Sequence, residues 1–141
     1  MSFFSLTRNK IFILLTDMFL CCQLHKAIRR AMVFEGKRKE KEVNHAKEAL
    51  QVLDDIHKGK KFFGGDSIGF LDIAFGWVVV WLQVYEEVGA SKVFESDQYP
   101  FLDKWVQNFV SQQVIRETLP SKEELIPFFQ RYRMAAIRSK L

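Results

Sequence analysis

His25, His45 and His57 are the three histidines of this 141-residue chain, and Cys21 and Cys22 are its two cysteines. Imidazole, thiolate and paired carboxylates are the groups that most often serve as bases, nucleophiles or metal ligands. Here their spacing predicts none of these roles. The histidines are scattered over amphipathic stretches with no carboxylate at ligand spacing, which predicts ordinary surface histidines. Two adjacent cysteines cannot staple a fold, and no third cysteine exists, so neither a disulfide framework nor a zinc site is expected. That thiol usage fits a reducing, cytoplasmic setting. Glu86-Glu87, at the end of an apolar run, is expected to be solvated. No Ser–His–Asp set, phosphate loop or Gly-x-Gly-x-x-Gly is present. The residues therefore predict no catalytic group and no metal in this chain.

Charge is equally restrained. The formal net charge is +4 and the sequence pI about 9.1. Lys37-Arg38-Lys39-Glu40-Lys41 is the most basic run, but no aromatic residue neighbours it for base stacking, and Glu35, Glu40 and Glu42 dilute it. A solvated charged link is expected there, and no nucleic-acid partner.

The elements that must hold these residues read as helices. Hydrophobic residues make up 48% of the chain and charged residues 27%, the balance of one globular domain. Fourteen Phe and three Trp predict a core of large rings, and no alternating strand pattern occurs. A first helix is predicted from about Asn9 to Phe34, ended by Gly36. A second covers about Glu40 to His57, with Val43, Ala46, Leu50 and Leu53 at helical spacing. A third, from Gly69 to about Val88, is apolar nearly all round and so predicted to be buried. Gly76 within it lowers helix propensity by about 1 kcal/mol, which predicts a close approach by another helix. A fourth spans about Pro100 to Val110 with Phe101, Leu102, Trp105, Val106 and Phe109 inward, and a short turn follows near Val114 to Thr118. The last carries the capping box Ser121-Lys122-Glu123-Glu124, with Pro127 predicting a late start or a kink. Ile11 to Cys22 is apolar but broken at Thr16-Asp17, and it lacks a small-residue cleavage site. It reads as part of a core helix more readily than as a signal peptide or membrane anchor, and no stable membrane insertion is expected.

The stretch from Phe62 to Ala74 is the most specific signal. Gly64-Gly65 punctuate the backbone, and Gly69 stands at an N-cap position. Asp72 falls at the third helical position, where its carboxylate reaches back to the free amides and meets the positive helix end. Ile68 and Ile73 are spaced as a hydrophobic staple. This segment resembles the capping segment of the central helix in the all-helical domain of glutathione transferases. Tyr99-Pro100-Phe101-Leu102-Asp103-Lys104-Trp105 and Glu117-Thr118-Leu119-Pro120 also resemble the plant tau class, in that class's order and at about its spacing. The resemblance covers Leu24 to Arg138. Residues 1–23 form a divergent N-terminal segment without a match, and 24–141 are expected to form the helical domain.

The resemblance implies an all-α, glutathione transferase C-terminal-like helical bundle. It implies a pocket for a hydrophobic electrophile, placing Trp81, Phe128 and Tyr132 around it. No pocket residue is carried onto Ile11 to Ala31, where the sequence departs from the family pattern. Family members bind glutathione as co-substrate on a separate thioredoxin-like domain. There a tau-class serine favours the thiolate, and a cis-proline presents backbone to the tripeptide. Pro100, Pro120 and Pro127 are the prolines here, Ser2 and Ser5 lack that context, and the glutathione site is expected to be absent. The expected function is the electrophile pocket of a tau-like glutathione transferase, with hydrophobic small molecules as ligands and no cofactor bound by this chain. A thioredoxin-like domain or a second copy would cover an apolar face left open, chiefly on the first helix. The alternatives are a non-catalytic protein-interaction module of the same fold and a small membrane-associated helical protein.

Overall fold

The computed structural model describes residues 3–139, with side chains from Leu15 onward. Among the described residues seven helices follow in order: α1 (Phe3–Val33), α2 (Gly36–His57), α3 (Phe70–Val80), α4 (Leu82–Gly89), α5 (Pro100–Ser111), α6 (Gln113–Thr118) and α7 (Lys122–Arg138). No strand occurs among the described residues beyond one isolated bridge between Phe62 and Gly65. The all-α expectation holds.

The core follows from helical spacing. On α1, Leu24, Ile28 and Met32 recur one turn apart, and on α2 Ala46, Leu50 and Leu53 do the same; all six are buried. Each larger side chain removed from water contributes about 1.5–3 kcal/mol. α1 crosses the Gln23–Leu24 junction without a break. It packs chiefly against α2, and α3, α4, α5 and α7 close around the pair. Trp105 and Phe109 of α5 are 1% and 2% exposed and stack at 5.5 Å. The expected close approach at Gly76 is present: a Cβ there would lie 2.3 Å from Phe109 Cζ. Gly89 makes a second such seam, where a Cβ would lie 2.9 Å from the Met32 Cα.

Several boundaries differ from expectation, each for a local reason. Gly36 does not end α1 but opens α2, with a left-handed φ of 62° that turns the chain after the two-residue link Phe34-Glu35. Lys37 to Lys41 is therefore helical. Lys39 Nζ donates to Gly89 O, and the Arg38 guanidinium lies 4.7 Å from the Phe34 ring centre. The long third helix is two helices. Val78-Val79-Val80, stiff at χ1, crowd the preceding turn, and Trp81 flattens to ψ −6°. The ladder still runs through it, since Trp81 N–H donates to Trp77 O at 2.9 Å and Tyr85 N–H to Trp81 O at 3.1 Å. α4 ends at Gly89, and Ala90 takes the left-handed turn at φ 51°. α7 starts at Lys122, ahead of Pro127. Ser121 Oγ accepts from Glu124 N–H at 3.3 Å, and Glu124 Oε2 accepts from Ser121 N–H at 3.0 Å.

α3 is buried on one side alone. Leu71, Asp72, Gly76, Val78 and Val79 are buried, whereas Phe70 is 74% exposed and Ile73 58%. Ile73 therefore closes no buried staple; Ile68 packs at the core margin without it. Leu15 and Phe19 on α1 are also exposed, and the side chains of Ile11 to Leu14 lie outside the described residues. Phe101, expected inward, is 37% exposed.

Candidate functional site

Among the described residues, Asp72 accepts more side-chain hydrogen bonds than any other. It is fully buried, and its Oδ2 accepts from Gly69 N–H at 2.9 Å, across the first turn of α3. Gly69 has no side chain to return the bond. Oδ1 instead accepts from Phe63 N–H at 3.1 Å and from the Trp105 indole N–H at 2.7 Å. One carboxylate thus ties a loop, a helix start and α5. A second buried aspartate, Asp54 on α2, accepts the Leu102 N–H at 2.8 Å, satisfying an amide in the first turn of α5. No local motif marks that role. Glu86, expected to be solvated, is engaged: its Oε1 accepts from Val93 N–H at 2.9 Å and Phe94 N–H at 2.6 Å, so it holds the loop after α4. Glu87 is exposed and pairs with Lys122 at 2.7 Å.

The histidines also separate. His45 is exposed, but His57 is 1% exposed, its Nδ1 2.7 Å from Leu53 O and its ring 4.5 Å from Phe63. Burial holds its pKa below the usual histidine value. His25 is half-buried, and burial with the Arg29 charge lowers its pKa too.

A cleft of about 410 Å³ lies between α1 and α7. His25, Arg29 and Val33 line it from α1, and Tyr132 and Ala136 from α7. Arg29 donates to the Tyr132 hydroxyl and lies 5.2 Å from its ring centre. His25 also meets Trp77 edge-on at 5.0 Å, Trp77 meets Trp81 at 5.0 Å, and Trp81 meets Phe129 at 6.0 Å. Of the three residues expected around a pocket, Tyr132 lines the cleft. Trp81 stands behind it, two rings away, with its indole Nε1 buried and without a hydrogen-bond partner. Phe128 is 55% exposed, and its neighbour Phe129 is the buried ring of α7. One position on a helix is a turn of about 100°, enough to exchange inside for outside. His25 and Arg29 have no counterpart among the expected residues; their spacing of four, one turn apart on α1, was the available signal. Cys22 is exposed in the same cleft. Cys21 is buried, and burial and the nearby Asp17 push its thiol up to about 12.

No helix among the described residues is long and apolar enough to cross a membrane. A family model described as "Glutathione S-transferase, C-terminal domain" matches residues 13–113, reaching upstream of Leu24. A probable glutathione S-transferase of Glycine max is 37% identical over 96 residues, covering 68% of this chain and 43% of that protein. Glutathione S-transferase U8 of Arabidopsis thaliana is 36% identical over 100 residues, covering 71% and 45%. The chain thus spans less than half the length of these two relatives. The crystal structure of the tau class glutathione S-transferase of mango, Mangifera indica, superposes with a TM-score of 0.76 at 28% identity, over 87% of this chain and 58% of that one. The chain belongs to the glutathione S-transferase family and carries the C-terminal helical domain of its tau class.

Proposed function

We propose that this chain supplies the electrophile-binding wall of a tau-class glutathione transferase, with Tyr132 at the cleft, Trp81 behind it and Phe128 at its rim. The observation that carries the reading is the position of His25, which lines the α1–α7 cleft and touches Trp77, joining the cleft to the Trp77–Trp81–Phe129 rings. In the family reaction a glutathione thiolate attacks a hydrophobic electrophile. On this reading the thiolate is generated by residues other than those of this chain, which binds no cofactor itself and works in the cytoplasm. The test is fluorescence: a neutral apolar ligand should quench tryptophan emission saturably, and Trp81→Phe should remove most of that response. Saturable turnover of glutathione by the 141-residue chain alone would defeat the division of labour proposed.

A second reading, a non-catalytic interaction module, draws on the exposed Phe19, Phe70 and Ile73. Such apolar surface suits cover by a thioredoxin-like domain or a second copy. Light scattering of the isolated chain distinguishes the two cases, since self-cover gives a dimer and a missing domain gives open-ended association.

A further inference from the structure

A second cleft, of about 560 Å³, opens where the end of α2 meets the start of α5. Lys60, Lys61 and Lys104 line it, against the single carboxylate of Asp66. None of the three lysines forms a salt bridge among the described residues. Phe101, also in the lining, offers a ring that is 37% exposed, and Lys58 Nζ lies 5.9 Å from its centre. The buried His57 completes the wall. Its Nδ1, 2.7 Å from the Leu53 carbonyl oxygen, must carry a hydrogen to make that contact. Phe63 and Trp105, at 4.5 and 5.1 Å, pin the ring. Nε2 is left buried without a partner. A buried polar atom in that condition calls for an account, and a cationic cleft beside it provides one.

We infer that this cleft binds a phosphate ester bearing an aromatic group, with Lys60, Lys61 and Lys104 meeting the phosphoryl oxygens, Phe101 the ring, and His57 Nε2 completing the phosphoryl contact. The inference is independent of the electrophile wall between α1 and α7. Multiply charged phosphate suits clustered ammonium groups, which act as point charges on it. A lone inorganic phosphate would leave most of the cleft and the Phe101 ring unused. Nε2 of the neutral imidazole holds a lone pair, so its bond to a phosphoryl oxygen forms with one proton taken up. The charges facing His57 are Asp54 on its own helix, Asp72 from α3 and Lys60 from the following loop, with Lys104 of α5 in the same wall. In the free chain burial lowers the imidazole pKa, and a bound dianion favours the charged form.

Calorimetric titration of the full chain with phenyl phosphate, in two buffers of different ionisation heat, tests this. Phenyl phosphate should bind with net proton uptake, and more tightly as pH falls from about 8 to about 7. Phenol and inorganic phosphate should each bind about tenfold more weakly or not at all. Lys60→Ala/Lys104→Ala, at solvent-facing positions, should weaken phenyl phosphate about tenfold or more while leaving the helical circular dichroism unchanged. Absence of phenyl phosphate binding, or binding indifferent to the double substitution, overturns the site. Inorganic phosphate binding as well as the ester removes Phe101 from it, and binding without proton uptake removes His57.

Discussion

Asp72 and Asp54 perform the same service at two helix starts by opposite routes. Asp72 caps the helix it belongs to, three residues from its Gly69 partner. Asp54 caps a helix forty-eight residues away, reaching from α2 to Leu102 on α5. Both are buried, at 0% and 3% exposure. The first is a local device that any reader of capping patterns can find. The second exists only once the bundle has assembled. Burial makes both necessary, since the Phe63 and Leu102 amides and the Trp105 indole N–H that they serve are buried and have no water to turn to.

The sharpest way to break the comparison is Asp72→Ala. It strands the Gly69 and Phe63 amides and the Trp105 indole N–H together, and a loss of about 3–5 kcal/mol is expected in urea unfolding. A loss below about 1 kcal/mol would reduce Asp72 to an ordinary exposed cap. Asp54→Ala strands one amide, so about 1–2 kcal/mol is expected. Because both carboxylates hold α5, the double variant should depart from additivity by more than about 0.5 kcal/mol. Additive losses would mean that local and distant caps act separately.

His57 touches Trp105, and the charges of both aspartates act on it, so acid probes the same joint. Its folded pKa lies below its unfolded one. Above an unfolded pKa of about 6.5 the group contributes no pH dependence. Below it, the unfolded chain binds a proton that the native chain refuses, and stability falls with falling pH by at most about 1.4 kcal/mol per unit. His57→Asn, measured in buffers free of phosphate, should flatten that slope even where it lowers stability overall. Smallest is Ser121→Ala, at the exposed capping box of α7. There water replaces the lost oxygen, and about 0.5–1 kcal/mol is expected.

What could be read without coordinates divides along the same line. The helices over α2, α5, α6 and α7 and the Gly69–Asp72 start all depend on neighbours in sequence or on a periodic face. The burial of His57 against Trp105 and the role of Asp54 at Leu102 depend on elements far along the chain. So does the open side of α3: Phe70 and Ile73 belong to an apolar run, and periodicity cannot tell which side of such a run lacks a neighbour. At the cleft, resemblance directs attention to Tyr132, which is part of the lining, whereas His25 and Arg29 lie on the upstream helix, which departs from the family pattern.

The ring of Phe109 seated on Gly76 has a consequence for how this sequence can change over generations. Neither position can drift alone. A methyl at residue 76 would meet the ring at 2.3 Å, and a smaller residue at 109 would leave a hole against the bare glycine backbone. The two are inherited as one character: relatives with a side chain at the first position should show a reduced one at the second, thirty-three residues later.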